Sequence, residues 1–184
     1  MKFKPQSIPD ILLIEPIVHS DERGYFVETF RQDLLDNALG YKVNFVQDNE
    51  SESISKGVLR GLHYQTAPFA QNKLVRVLSG KVLDVTVDIR RNSANFGKHV
   101  AVELSEENKK QLFIPKGFAH GFIVLSDRAI FTYKVDSYFS AEHNEGVAYN
   151  DKDLNIDWLV IEEDIKLSKD DQENSNLSFK KILF

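Results

Sequence analysis

The fold is decided by residues 75–89, which read VRVLSGKVLDVTVDI. The pair Ser79-Gly80 is a turn signal, because glycine adopts backbone conformations that other residues avoid. From Val82 to Ile89, apolar and polar side chains alternate with a period of two, which is typical of a half-buried strand. This stretch therefore predicts two successive β-strands joined by a turn.

Similar stretches follow on the C-terminal side of this pair. Further strands are predicted at residues 98–104, 111–114, 121–125 and 129–135. The turn signals between them recur about every ten residues, which favours a sandwich, a jelly roll or a barrel. The sequence thus predicts an all-β fold in a single domain, residues 1–184, with a less regular segment from about residue 161.

Helical signals are few and short. Residues 31–39 are a candidate helix that Gly40 ends. Residues 105–110 predict one helical turn, and Ser168 is the predicted N-cap of a final short helix with acidic residues in its first turn. Helices therefore contribute little to the expected fold.

The composition excludes several classes of protein. The chain of 184 residues has no cysteine, which rules out disulfides, thiolate metal ligands and cysteine nucleophiles. Its net charge of -5 lacks the basic surplus of a general nucleic-acid binder. No apolar run approaches the ~20 residues of a membrane-spanning helix. We therefore expect a cytoplasmic protein that has no nucleic-acid or membrane partner.

The first candidate cluster for chemistry is GVLRGLHYQ at residues 57–65, with Lys73 downstream. If this strand continues without interruption, His63 shares one face with Leu59, and Arg60 lies on the opposite face. A structural histidine with two surface cations is the alternative interpretation, and the spacing alone favours neither.

The second cluster is IPKGFAHGF at residues 114–122. Pro115 and Gly117 predict a tight turn, which places His120 at the start of the next strand. The pattern P-x-G-x-x-H is similar to the second motif of cupin jelly rolls, in which the turn aims a histidine into the barrel mouth. A rim histidine without a ligand is the alternative.

A metal site is not expected in this barrel. Metal-binding cupins carry three histidines and a glutamate that begin with His-x-His on one strand face. Here Gln65 stands where the second histidine would be, and Lys73 is an unfavourable neighbour for a cation. Two histidines are too few for a tight transition-metal site.

Two further clusters contain aromatic and polar side chains. Residues 131–139 read FTYKVDSYF and place the phenol of Tyr133 on an otherwise apolar strand face. A core tyrosine is the commoner case, although a phenol on a cavity wall can donate a proton. Residues 20–30 and 45–50 read SDERGYFVETF and FVQDNE, and taken alone they indicate a surface turn and a strand.

Together these segments resemble the dTDP-4-dehydrorhamnose 3,5-epimerase family. The stretches that carry the resemblance occur in the family's order and read DERGYFVE, FVQDN, VLRGLHYQ, KLVRV, IPKGFAHGF and YKV. The resemblance implies a cupin-like jelly-roll barrel with a few short helices, a homodimer, and dTDP-4-dehydro-6-deoxy-D-glucose as substrate. It also implies inversion at C3 and C5 by proton transfer, with no cofactor.

The same resemblance implies the catalytic residues. His63 corresponds to the family's base, because imidazole can take up a proton near neutral pH. Lys73 corresponds to the lysine near the C4 oxygen, where a cation stabilises developing enolate charge. Tyr133 corresponds to the acid that reprotonates the carbon from the opposite face.

One departure from the family pattern concerns the carboxylate that orients the base. The family motif is L-S-x-K-D, whereas residues 167–172 read LSKDDQ. Alignment on Leu-Ser selects Asp171, and alignment on Lys-Asp selects Asp170. We favour Asp171, which leaves Asp170 where the family has a lysine.

The resemblance also implies a set of substrate-binding residues. Arg23 and Arg60 match the cations at the pyrophosphate, for which guanidinium geometry is suited. Tyr138, or its neighbour Phe139, matches the aromatic residue that stacks on thymine, and His120 matches a histidine beside the sugar. The other matching positions are Phe26, Glu28, Gln47, Asp48, Asn49 and Glu145.

Three alternative functions remain at this point. An epimerase that inverts only C3 or only C5 would use the same base and acid. A non-catalytic sugar-nucleotide-binding cupin would have no need for His63, Lys73 and Tyr133 together. A metal-dependent cupin oxygenase is the third alternative, and the sequence favours it least.

Overall fold

Thirteen strands and two short helices form the described part of the chain. The structure is a computed structural model, and it describes residues 1–180 and Phe184. The strands are β1 Lys2–Pro5, β2 Leu12–Glu15, β3 Val18–Asp21, β4 Gly24–Val27, β5 Gln47–Ser53, β6 Leu59–Gln65, β7 Lys73–Ser79, β8 Lys81–Asp88, β9 His99–Ser105, β10 Gln111–Ile114, β11 Phe118–Val124, β12 Ala129–Val135 and β13 Asn144–Gly146. The helices are α1 Gln32–Leu39 and α2 Lys169–Gln172, and 3₁₀ turns occur at Ala141–His143, Glu162–Asp164 and Leu177–Phe179.

Two antiparallel sheets build the body of the fold. The first has six strands in the order β1-β2-β10-β7-β12-β5, and the second has five in the order β13-β6-β11-β8-β9. Strands β3 and β4 form a separate hairpin. The arrangement confirms the prediction of an all-β, jelly-roll-like cupin fold, although the two sheets of the described residues do not close into the expected barrel. All the strands predicted from residue 75 to residue 135 are present. The single domain over residues 1–184 stays a prediction, and residues 181–183 of that range lie outside the described residues.

The main core lies between the two sheets. Val75 and Phe131 of the six-stranded sheet are buried in one cluster with Val82 and Phe122 of the five-stranded sheet. The rings of Phe122 and Phe131 stack with centroids 4.1 Å apart. These contacts hold the sheets face to face, and the site described below lies in the same space between them.

Strand β8 is buried on both faces, whereas its alternating sequence predicts a half-buried strand. Val85 and Val87 pack in a second cluster on the outer side of the five-stranded sheet, where Leu154, Trp158 and Leu177 cover them. The C-terminal segment therefore forms an additional layer over β8. The alternation within the β8 sequence could not predict this layer, because it comes from a distant part of the chain.

The predicted helix ends are confirmed. Helix α1 begins after Arg31, and Gly40 ends it in a left-handed conformation with φ of 76°. Ser168 caps α2 by accepting a hydrogen bond from the backbone N–H of Asp171. Residues 106–108 form a hydrogen-bonded turn in which the Asn108 N–H donates to Ser105 Oγ. None of the helices in the described part of the chain has the length and apolar character needed to cross a membrane.

A bulge in β6 overturns the predicted faces of this strand. The pairing with β11 shifts between His120–His63 and Phe122–Arg60, so that two residues of β6 oppose Gly121 alone. The extra residue reverses the side-chain alternation. Arg60 and His63 consequently point into the same space, and Leu59 packs on the other side of the sheet.

Candidate active site

A cavity of about 520 Å³ opens between the two sheets. Strands β5, β6, β7, β11 and β12 and the segment around α2 contribute to its wall. The predicted site residues that line it are Arg60, His63, Lys73, His120, Tyr133, Phe139 and Asp171. The fold therefore brings together residues that are up to 111 positions apart in the sequence.

The imidazole of His63 is bonded to the carboxylate of Asp171. His63 Nε2 and Asp171 Oδ1 are 2.6 Å apart, and the side chain of Asp171 is 4% exposed. The second carboxylate oxygen of Asp171 accepts a hydrogen bond of 2.9 Å from Ser168 Oγ. Because Nε2 is engaged, Nδ1 is the imidazole nitrogen left for a substrate. Of the two candidates, Asp171 makes this contact, since α2 directs Asp171, rather than Asp170, toward His63. The catalytic role of Asp171 stays a prediction.

Lys73 and Tyr133 lie on the sheet opposite His63. They occupy neighbouring strands, β7 and β12, and their side chains face the same cavity. Burial lowers the pKa of Lys73 to about 8, and the charge of Asp84 acts in the opposite direction. Burial raises the pKa of Tyr133, against the effect of the nearby Arg60 charge. The phenol of Tyr133 is therefore protonated near neutral pH.

A second histidine–carboxylate pair stands beside the first. His120 Nε2 lies 2.8 Å from Asp84 Oδ2, and both side chains are buried. Among the described residues, Asp84 Oδ1 and Thr86 Oγ1 have no hydrogen-bond partner. Sequence reasoning missed Asp84. The signal in the sequence was the pair of polar residues, Asp84 and Thr86, between the apolar residues of β8. The structure buries all of these positions, and a buried polar side chain requires a hydrogen-bond partner.

Gln65 occupies the place of the second metal ligand in metal-binding cupins. Its amide accepts a hydrogen bond of 2.9 Å from the Ser140 N–H and donates one of 3.0 Å to Asn144 Oδ1. Residues 1–180 and Phe184 contain no group of three or more His, Asp or Glu side chains arranged to hold a metal ion. The oxygen and the nitrogen of the Gln65 side-chain amide are thus both hydrogen-bonded to other residues of the protein.

Three predicted binding residues lie on the N-terminal hairpin and the segment after it, away from this cavity. The side chain of Arg23 is 86% exposed and pairs with Asp21 at 2.6 Å. Phe26 is 65% exposed. Glu28 lies 3.6 Å from the guanidinium of Arg31 at the surface. Within one chain, the fold does not bring these side chains to the catalytic candidates.

The other predicted binding residues are placed around the rim or outside it. Gln47 and Asn49 share the face of β5 that carries Tyr133 on β12, and they are bonded to each other at 2.8 Å. Tyr138 is exposed in the loop beside Phe139. Asp48 pairs with Lys134 on the outer face, and Glu145 pairs with Lys180 of the C-terminal segment. Substrate contact by each of these residues stays a prediction.

Comparisons with known proteins agree with one another. Residues 5–178 match the family model described as dTDP-4-dehydrorhamnose 3,5-epimerase. A curated relative of that name from Shigella flexneri is 58% identical over 153 residues, which cover 83% of this chain and 84% of the relative.

Solved structures are similar over nearly the whole chain. The epimerase RmlC from Legionella pneumophila, in complex with dTDP-4-keto-L-rhamnose, matches with a TM-score of 0.92 at 47% identity, covering 97% of this chain and 93% of that one. ChmJ, a 3'-monoepimerase from Streptomyces bikiniensis in complex with dTDP-quinovose, matches with a TM-score of 0.87 at 33% identity, covering 95% and 87%.

Proposed function

This chain belongs to the dTDP-4-dehydrorhamnose 3,5-epimerase family, and on that premise we propose that it inverts C3 and C5 of dTDP-4-dehydro-6-deoxy-D-glucose. The observation that carries the proposal is the cavity in which His63 faces Tyr133 and Lys73 from the opposite sheet. Inversion of a carbon next to a ketone requires a base on one side and an acid on the other. The two walls supply these groups.

The base is His63. Its Nδ1 takes the proton from C3 or C5, and the electron pair of the C–H bond forms an enolate with the C4 carbonyl. Asp171 holds the imidazole in the tautomer with the proton on Nε2 and stabilises the imidazolium that forms, as a carboxylate does in other His–Asp pairs.

The opposite wall completes the reaction. The ammonium of Lys73 stabilises the negative charge that develops on the C4 oxygen. Tyr133 then donates its phenolic proton to the other face of the carbon, which inverts the configuration. The phenolate regains a proton and the imidazolium loses one, so that both groups are ready for the second carbon. No step requires an electron acceptor, since the substrate and product are isomers.

The dTDP part of the substrate extends from the cavity past Arg60 and the loop that carries Tyr138 and Phe139. We propose that Arg60 binds the diphosphate, that His120 contacts the sugar, and that the aromatic loop receives the base. We further propose a homodimer in which the hairpin β3–β4 carries Arg23 and Phe26 to the partner's cavity. The exposure of both side chains and their distance from their own chain's cavity support this proposal. The cytoplasmic location stays a prediction.

A second candidate function is inversion at one carbon only. The similarity to the 3'-monoepimerase ChmJ, at 33% identity, supports this second candidate. The same base and acid serve both reactions, so the number of carbons that exchange their proton distinguishes them.

Deuterium exchange tests the proposal. The protein is incubated with dTDP-4-dehydro-6-deoxy-D-glucose in deuterated buffer, and proton NMR is used to locate the deuterium. We expect deuterium at both C3 and C5, together with inverted product. Deuterium at one carbon would select the monoepimerase, and no exchange in a protein that binds dTDP would leave a non-catalytic sugar-nucleotide-binding cupin.

The variant Tyr133→Phe separates the two proton transfers. Without the phenol, His63 still removes the proton and returns a deuteron to the same face, so we expect exchange without inversion. Tyr41→Phe, at an exposed site outside the cavity, is the matched control and should leave both unchanged. Equal loss of exchange and inversion in Tyr133→Phe would argue against the assignment of the acid.

A further inference from the structure

Three glutamine side chains converge on one loop at the mouth of the cavity. Gln71 Nε2 donates to the carbonyl oxygen of Ser137 at 2.8 Å. The N–H of Phe139 donates to Gln47 Oε1 at 3.1 Å, and the N–H of Ser140 donates to Gln65 Oε1 at 2.9 Å. We call Gln47, Gln65 and Gln71 the glutamine clasp.

The clasp reaches the loop from three separate parts of the fold. Gln47 lies on β5, Gln65 on β6 and Gln71 in the connection to β7, so that both sheets hold the loop. The remaining polar groups of two clasp residues are also engaged, since Gln47 Nε2 donates to Asn49 and Gln65 Nε2 donates to Asn144. These bonds fix the amides themselves, which makes them rigid supports.

A second set of contacts holds the two ends of the same loop in place. Asn72, next to Gln71, binds both carboxylate oxygens of Asp136 through its backbone N–H at 2.7 Å and its side-chain amide at 2.8 Å. On the far side of the loop, His143 Nδ1 lies 2.9 Å from Ser140 Oγ. Both ends of the loop at residues 137–140 are therefore anchored.

The loop presents aromatic side chains to solvent in spite of this anchoring. Tyr138 is 66% exposed and Phe139 is 55% exposed, and Phe139 also lines the cavity. Large aromatic rings in an exposed, rigidly held loop suit a planar ligand. The conformational entropy of the loop is already lost in the free protein, so binding does not have to order it.

We propose that the glutamine clasp holds residues 137–140 as a preformed platform for the nucleobase of the substrate. Gln65 and Gln71 are then positioning residues for nucleotide binding, which act through the loop backbone. The inference rests on the proposed function, since it concerns the nucleotide end of the same substrate. It adds a role for Gln65 and Gln71 that the proton-transfer chemistry does not use.

The test uses the full chain with Gln65→Met or Gln71→Met, which keep the length of the side chain and remove the amide. Gln6→Met is the matched control, because Gln6 also donates to a backbone carbonyl, that of Lys4 at 2.9 Å, but follows β1 at the edge of the sheet farthest from β5. The dissociation constant for dTDP is measured by calorimetry, and KM and kcat are measured for the dTDP-keto sugar. Amide hydrogen exchange in the ligand-free protein reports on Ser140.

We expect Gln65→Met and Gln71→Met to weaken dTDP binding about fivefold and to raise KM by a similar factor, with kcat nearly unchanged. Exchange of the Ser140 amide should become faster in Gln65→Met. Gln6→Met should match the wild-type protein in all of these measurements. If Gln65→Met does not fold, Gln71→Met decides, because Gln71 is only half-buried and makes a single bond to the loop.

Two results would overturn the inference. The first is wild-type dTDP affinity in the folded variants. The second is weaker binding with unchanged exchange at Ser140 in Gln65→Met, which would mean direct contact with the nucleotide instead of support of the loop. The proposed function is judged separately, by exchange at C3 and C5 in the wild-type protein. If the wild-type protein epimerises the substrate and the clasp variants bind dTDP with wild-type affinity, the inference about the clasp is refuted and the proposed function is not.

Discussion

His63 and Asp171 are 108 residues apart in the chain, and their side chains are joined by a contact of 2.6 Å in the cavity wall. The histidine belongs to β6, the second strand from the edge of the five-stranded sheet, whereas the aspartate belongs to a four-residue helix that packs against that strand. The contact therefore depends on the docking of the C-terminal segment, which makes that segment part of the site.

Asp171→Asn is expected to lower kcat about a hundredfold or more, because the amide removes the charge that stabilises the imidazolium of His63. The matched control is Asp170→Asn. Asp170 lies one residue away in the first turn of the same helix, and its side chain is exposed. Steady-state assays of both variants should show the loss in Asp171→Asn alone, and a larger loss in Asp170→Asn would reverse the assignment.

Ser168→Ala is expected to lower kcat about fivefold and the free energy of unfolding by about 1 kcal/mol. The hydroxyl of Ser168 donates to Asp171 Oδ2 at 2.9 Å and accepts the Asp171 N–H at 3.1 Å, so it both caps α2 and orients the carboxylate. Ser168→Thr retains the hydroxyl and should restore both quantities. A loss of stability in urea denaturation with wild-type kcat would show that Ser168 caps α2 but does not orient the carboxylate for catalysis.

Asp84→Asn is expected to move the alkaline limb of the pH profile of kcat/KM to lower pH. Burial lowers the pKa of Lys73 to about 8, and the charge of Asp84 opposes that effect. Without that charge the pKa of Lys73 falls further, and the ammonium that stabilises the enolate is lost at a lower pH. Tyr133 does not account for this limb, because burial raises its pKa above the ordinary value of 10.0.

The variant Asp84→Asn removes the charge and keeps the size of the side chain. Asparagine preserves an acceptor for His120 at the place of Asp84 Oδ2, so that the loss of the charge is the main change in the variant. An alkaline limb that stays in place in the variant would show that Lys73 does not control activity through its charge.

Local patterns in the sequence predicted the strands from residue 75 to residue 135, the cap at Ser168 and the end of α1 at Gly40. These features depend on neighbours within a few residues, so their signals are complete in a short window. The pairing of His63 with Asp171 came from resemblance to a family, because no local pattern joins residues so far apart.

Features that depend on distant contacts could not be read from the same patterns. The glutamine clasp joins three side chains to the backbone of one loop, and the Asp84–His120 pair joins side chains of two strands. Neither could be predicted before the packing of these elements was known. The two-sided burial of β8 depends on the C-terminal layer that contains Trp158. Arg60 was placed on the wrong face because the alternation rule assumes an uninterrupted strand, and β6 has a bulge.

Two glycines allow that bulge to form. A Cβ atom on Gly121 would lie 2.7 Å from the carbonyl oxygen of Arg60 and 3.0 Å from Cα of Gly61. These contacts involve backbone atoms, which cannot rotate away. Gly121→Ala should therefore separate β6 from β11 at the position where the alternation reverses.

We expect Gly121→Ala to lower the free energy of unfolding by about 2 kcal/mol and to lower kcat, because the shift displaces Arg60 and His63 together. Gly97→Ala is the matched control, since Gly97 has φ of 75° but no atom within 4 Å of an added Cβ. It should cost about 1 kcal/mol through its backbone conformation and leave kcat unchanged. Urea denaturation and steady-state assays measure both effects. Wild-type kcat in a destabilised Gly121→Ala protein would show that the close approach of the strands stabilises the fold but does not place the catalytic groups.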